Sequence, residues 1–186
     1  MNKSKFYDMS KLLSCNASWN ILYGMRANGK SYSVKMYVLK NALKGEQFVY
    51  LRRWSEDIKQ REVSTYFDDM PITDLTKGEW STVVAYQGFF YFANITEAGK
   101  TERAPEPIGR YCSLNQAERY KSQVFEKVTT ICFEEFMTDK IYLGTNARPE
   151  PRLLMQYVSS VSRDRDIKIF MIGNTISRVN PYISEW

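Results

Sequence analysis

The chain has 186 residues, 44% of them apolar and 25% charged, which suits one ordinary globular domain with a sizeable core and excludes a disordered or low-complexity chain. Its net charge of +5 favours a polyanionic partner without naming one. It contains no histidine and only three scattered cysteines, Cys15, Cys112 and Cys132. Triads built on histidine, His-ligated metals and a disulfide framework are therefore excluded, and a reducing compartment is expected.

In chain order, "MNKSKFYDMSKLL" lacks the apolar centre of a secretory signal, and no apolar run approaches the ~18 residues of a membrane span, so no membrane association is expected. "SWNILYG", 18–24, reads as a short strand ending in glycine. "GMRANGKS", 24–31, then fits G-x-x-x-x-G-K-S/T, in which backbone amides wrap phosphates, the lysine reaches the β- and γ-phosphates, and the hydroxyl meets Mg²⁺. In "SYSVKMYVLKNALK", 31–44, Val34, Tyr37, Val38, Leu39 and Ala42 recur at helical spacing, and Gly45 stops the helix. "QFVYLRR", 47–53, is a second strand. Strand, glycine loop, helix and strand in succession are the context that a phosphate-binding loop requires.

Residues 54–79 are charged and predicted helical in part. "WSTVVAYQGFFYFANI", 80–95, is predicted to form two strands around Gln87-Gly88, its aromatic residues serving as core and sheet surface rather than as a base-stacking platform. "TEAGKTERAPEPIG", 96–109, reads as an exposed, mobile loop, "GRYCSLN", 109–115, as a strand, and "QAERYKSQVFEK", 116–127, as polar with a helical start.

"VTTICFEEF", 128–136, is the second informative stretch. Residues 128–133 are β-branched or apolar, as in a strand buried on both faces, and Glu134 and Glu135 follow at its carboxyl end. Ligands of open α/β sheets sit at that end. Successive side chains on a strand point opposite ways, so the pair can divide the chemistry. Glu134 is expected to hold the Mg²⁺ shell with Ser31, and Glu135 to orient and deprotonate an attacking water. The first acid of such a pair is usually Asp, and Glu134 is one methylene longer. "RPEPRLLMQYVSSVSRDRD", 148–166, is predicted helical from about Arg152, with Leu153, Tyr157 and Ser160 or Val161 on one face. Arg163 and Arg165 end it, either as an arginine finger or as favourable charges at a helix C-terminus. "IKIFMIGN", 167–174, is a last strand, whose Asn174 is either a γ-phosphate sensor or a turn residue.

Taken together, "NILYGMRANGKSYSVK", "GEQFVYLRRW", "VTTICFEEF", "SRDRD" and "NTISRVNPY" occur in an order and spacing that resemble the DNA-packaging ATPases of φ29-type tailed phages. Those belong to the additional-strand, catalytic-glutamate class of ring ATPases, with terminases and FtsK/HerA translocases as relations. The most specific pieces are the loop containing Arg26, the pair Arg52-Arg53 and the "VNPY" tail, 179–182. The resemblance implies an α/β P-loop NTPase fold, with a mostly parallel sheet, helices on both faces and the β-hairpin as an insertion. It implies ATP and Mg²⁺ as cofactors and hydrolysis coupled to translocation of double-stranded DNA into a preformed capsid. The implied partners are a homomeric ring, pentameric in this family, the capsid portal and a packaging RNA, and the implied location is the host cytoplasm, transiently on the procapsid.

By motif, Gly24, Met25, Arg26, Ala27, Asn28, Gly29, Lys30, Ser31 and Tyr32 would bind the nucleotide, with Ser31 and Glu134 on the metal. Glu135, Arg163 and Asn174 would be catalytic, Arg163 acting on a neighbour's ATP. Lys59, Arg61, Arg119 and Lys121 are candidates for the DNA-facing surface, against the alternative of a merely solvated face. Family members carry a further nuclease-like domain. This sequence ends at Trp186, so residues 1–186 are expected to be a single motor domain, an N-terminal fragment. A small-molecule kinase or a GTPase could use the same loop, although no Asn/Thr-Lys-x-Asp guanine reader is present. The third class is a nucleotide-binding structural subunit without hydrolysis.

Overall fold

The computed structural model describes residues 7–120, 123–145, 147–174 and 180–185. A short helix α1 (Ser10–Ser14) leads into strand β1 (Trp19–Gly24), the glycine loop, helix α2 (Lys30–Ala42) and β2 (Gln47–Arg52). Gly29 can occupy the left-handed position ahead of α2 (φ 82°) at no steric cost, and so turns the loop into the helix. The charged excursion after β2 folds into short pieces: a 3₁₀ turn (Ser55–Ile58), α3 (Gln60–Val63) and α4 (Ile72–Leu75).

The hairpin β3 (Thr82–Tyr86) and β4 (Phe89–Ile95) turns through Gln87 and Gly88, both at positive φ, which matches the twist of the flanking strands. The segment expected to be a mobile loop instead adds β5 (Thr101–Arg103), paired with the end of β4 through Ala93, Asn94 and Ile95. Open pairing positions on β4 outweighed its proline- and glycine-rich composition. β6 (Gly109–Ser113) follows, then a 3₁₀ turn (Leu114–Gln116), α5 (Ala117–Tyr120) and β7 (Val128–Glu134). The two-residue strands β8 (Gly144–Thr145) and β9 (Arg148–Pro149) form a small separate ladder ahead of α6 (Glu150–Ser162), β10 (Lys168–Asn174) and α7 (Pro181–Glu185).

The main sheet runs β1-β10-β7-β2-β6-β4-β3, with β5 also on β4. From β1 to β6 every pair is parallel, and the hairpin joins antiparallel. The fold is thus mixed α/β with a mostly parallel central sheet. Two cores cover its faces. Phe48 and Tyr50 of β2 turn to the side of α2, where Val34, Val38, Leu39 and Ala42 pack with Phe90 and Phe92 of the hairpin. Val49 and Leu51 turn to the side of α6, against Leu154, Tyr157, Val158 and Val161. The helix begins at Glu150, earlier than expected, because proline is tolerated in a first helical turn and Pro151 fits there. Its buried stripe centres on Leu154 and Val158, with Leu153 only partly buried. The hairpin aromatics divide as expected, with Phe90 and Phe92 in the core and Phe89 and Tyr91 half-buried on the opposite face.

Candidate functional site

The parallel strands β1, β10 and β7 lie side by side, so their carboxyl ends bring the glycine loop, Asn174 and the two glutamates to one edge. The Cα of Gly24 registers with that of Asn174, and Ile172 with Glu134. A cavity of about 300 Å³ opens there, lined by residues Arg26 to Tyr32, by Glu134 and Glu135, and by Ile172, Gly173 and Asn174. Gly24 and Met25 do not line it; their carbonyls accept from the Lys30 ammonium at 3.2 and 2.8 Å. Asn28 Oδ1 accepts a third hydrogen bond at 3.0 Å. The lysine is thus folded into its own loop, and burial lowers its pKa while the nearby Glu134 charge opposes that.

Glu134 is buried, and burial pushes its carboxyl above the usual range, countered by two hydrogen bonds. Ser31 Oγ donates to its Oε2 at 3.1 Å, and the Tyr66 hydroxyl donates to its Oε1 at 3.2 Å. One hydroxyl and one carboxylate, both hard oxygen donors, meet beside the glycine loop. That set fits Mg²⁺, which keeps several waters and binds through one or two protein oxygens together with substrate phosphates. Among the described residues no cluster of three or more His, Cys, Asp or Glu forms an all-protein cage.

Glu135 turns the other way. It follows the last residue of β7 at φ 56°, a strained conformation for a non-glycine residue, and its side chain is 60% exposed. Its carboxylate is not free: Arg52 Nη2 reaches Oε2 at 2.7 Å, and the same nitrogen lies 3.7 Å from Asp57.

The arginines at the end of α6 are elsewhere. Arg165 Nη1 donates to Val128 O at 3.0 Å and to Glu126 O, Nη2 to Phe125 O and Val161 O at 2.7 and 2.8 Å, and Nε to Ser162 O at 3.1 Å. It is a clamp on backbone carbonyls at the amino end of β7. Arg163 is exposed, sits at φ 43° and reaches Gln123 O at 3.2 Å. Both lie at the edge of the sheet opposite the cavity, and Arg163 is not brought to the other site residues. Lys59, Arg61 and Arg119 are exposed, away from the cavity lining, and Lys121 lies outside the described residues.

A model of the podovirus DNA encapsidation protein (Gp16) family matches residues 1–185. The chain belongs to that family. Among Gp16 relatives, the DNA packaging proteins of Bacillus phages phi29 and PZA are each 33% identical over 185 residues, which is 98% of this chain and 50% of theirs. That of Bacillus phage B103 is 28% identical over 173 residues. The chain spans about half the length of the curated relatives it matches. The N-terminal domain of the DNA packaging ATPase from bacteriophage phi29 superposes with a TM-score of 0.74 at 30% identity, covering 98% of this chain and 86% of that one. The Phi-28 gp11 DNA packaging motor gives 0.75 at 20% identity, a likeness of fold.

Sequence reasoning singled out Arg52-Arg53 and the "VNPY" tail as marks of this family but gave them no work. Arg52 meets Glu135. Arg53 makes a two-point pair with buried Glu150, Nε to Oε2 at 2.7 Å and Nη2 to Oε1 at 2.9 Å, and donates to the carbonyls of Glu135 and Phe136. Tyr182 from the tail donates to the same Glu150 at 2.6 Å, and the Leu143 amide at 2.7 Å. Val179, the first residue of that tail, lies outside the described residues. Arg53 and Glu150 therefore fasten the turn that carries Glu135. Tyr66 was missed altogether. A lone tyrosine in a charged, irregular stretch carries no spacing signal, and only the fold brings it to Glu134.

Proposed function

We propose that this chain is the ATP-hydrolysing motor domain of a DNA-packaging protein, a P-loop NTPase of the additional-strand, catalytic-glutamate class. The observation that carries it is the convergence of the glycine loop with Glu134 and Glu135, down to the 3.1 Å contact between Ser31 and Glu134. The position of β10 between the phosphate-loop strand β1 and the carboxylate strand β7 supports the additional-strand class. The names of the relatives support the packaging role.

In this reading the loop amides and Lys30 hold the phosphates of ATP, the ammonium exchanging its carbonyl partners for phosphate oxygens. Ser31 and Glu134 would hold Mg²⁺, whose charge offsets that of the phosphates. Glu135 takes the proton of the attacking water, once its carboxylate is free of Arg52. Asn174 stands at the end of β10 to orient the γ-phosphate or the water. Arg163 acts in trans: pointing away from its own cavity, it can serve only the site of another subunit in a ring. That ring, five-membered in this family, works on the capsid portal with a packaging RNA, in the host cytoplasm. Double-stranded DNA is held through its backbone, and Lys59, Arg61, Arg119 and Lys121 remain candidates for that surface.

The test is steady-state ATP hydrolysis with and without double-stranded DNA, for the wild type and for Lys30→Ala. We expect DNA-stimulated turnover that Lys30→Ala abolishes while the chain stays folded. Stimulation by a small-molecule acceptor would instead identify a kinase, and tight ATP binding without turnover a structural subunit. A role in trans for Arg163 further requires specific activity to rise with protein concentration. Mixing Arg163→Ala with Glu135→Gln subunits should restore part of it, since some interfaces then pair an intact Glu135 with an intact Arg163. Mixed rings as inactive as their parents would remove that role.

A further inference from the structure

Each carboxylate oxygen of Glu134 has its own donor. Ser31 Oγ serves Oε2, on the side of the phosphate loop, and the Tyr66 hydroxyl serves Oε1 from behind, at 3.2 Å. Tyr66 comes from the turn between α3 and α4, a stretch with no residue in the cavity lining, and it meets Glu134 from outside that lining. It is nevertheless firmly held. Its ring lies 4.2 Å from that of Tyr50 and 4.7 Å from that of Phe67, and the Lys35 ammonium stands 5.1 Å from the ring centre. Lys35 also donates to the Tyr66 carbonyl at 2.9 Å and pairs with Asp69, fixing the turn at the tyrosine and three residues beyond it.

We propose that Tyr66 is a positioning residue for the cation site: its hydroxyl pins Oε1, so that Oε2 stays turned toward Ser31. The inference rests on the reading of Ser31 and Glu134 as Mg²⁺ ligands. Glutamate carries one more rotatable bond than the aspartate usual at this place, so its carboxylate has more freedom to turn away. A hydroxyl behind it removes that freedom. Groups hydrogen-bonded to a metal ligand typically tune metal affinity by about 10–100-fold. The hydroxyl touches neither nucleotide nor reacting atoms in this reading, so its loss should act through the metal alone.

Tyr66→Phe keeps the ring packing and removes only the oxygen. Binding of the non-hydrolysable analogue AMP-PNP would be measured by calorimetry with Mg²⁺ and with EDTA, and the ratio of the two affinities is the readout. We expect Tyr66→Phe to cut that ratio about 10-fold or more while affinity in EDTA stays within about twofold of wild type. In a Glu134→Gln background the same change should have no further effect on the ratio. An unchanged ratio in a folded Tyr66→Phe chain overturns the positioning role and leaves the metal reading standing. A wild-type chain whose affinity is indifferent to Mg²⁺ overturns the metal reading, and this inference with it. A Tyr66→Phe chain that is unfolded in EDTA also overturns it, because the hydroxyl would then serve the fold.

Discussion

Glu134 and Glu135 are adjacent in sequence and opposite in circumstance. One is buried and doubly hydrogen-bonded, and the other is mostly exposed and tied to Arg52. If Glu135 is the base, Glu135→Gln keeps the size and the neighbours but cannot accept a proton. We expect ATP binding to survive and turnover to fall by about 10²–10⁴-fold, measured as single-turnover hydrolysis. A Glu135→Gln chain that turns over normally beside a dead Glu134→Gln chain would reverse the two roles. That the two side chains part was legible from strand alternation, but the structure parts them by another means: β7 stops at Glu134, and Glu135 leaves it in a left-handed turn at φ 56°. The Arg52 contact was not legible. Only the parallel pairing of β2 with β7 carries the end of one strand to the end of the other, and pairing partners are not written in either strand.

At the level of elements, α6 is fastened to the site by a single carboxylate. Glu150 is fully buried and takes hydrogen bonds from Arg53, Tyr182 and the Leu143 amide. Glu150→Ala would leave the Arg53 charge buried without its partner, a change that typically costs about 3–5 kcal/mol. A shift of the urea midpoint should show this, while Arg163→Ala, on an exposed side chain at the end of the same helix, should leave the midpoint nearly in place. The helix was readable from its apolar period, but its first turn was not: the expected start near Arg152 falls short of Glu150, because Pro151 carries no apolar period and is tolerated in a first turn. Likewise the hairpin was announced by Gln87-Gly88, whereas β5 gains its order only from the open positions on β4 and leaves no mark in its own exposed residues.

The whole molecule carries buried groups that resist ionisation. Burial pushes the Cys112 thiol up to about 11 and the Tyr50 phenol up to about 12, from ordinary values of 9.0 and 10.0. Below pH 9 both are neutral, folded or unfolded, and their contribution is intact. As pH rises the unfolded chain ionises first, which favours unfolding until the folded values are passed. Stability should therefore fall between about pH 9 and pH 12, by at most about 3 kcal/mol per group. Denaturant midpoints at pH 8, 9.5 and 11 would show the loss, and Cys112→Ala should flatten the earlier part of the slope whatever it does to the baseline.

The registration of Gly24 with Asn174 also sets a schedule for biosynthesis. The two residues stand 150 positions apart (174 − 24), so the edge that holds the glycine loop cannot close until almost the whole domain has left the ribosome. At about 5–20 residues per second, β1 waits roughly 8–30 s for the strand beside it. Throughout that interval its backbone groups lack the strand that will pair with them, and pairing across so long a stretch of chain is intrinsically slow. A nascent copy is thus exposed to the wrong partners for longest at the strand that leads into the glycine loop. A premature stop before residue 168 would leave that strand with no partner at all.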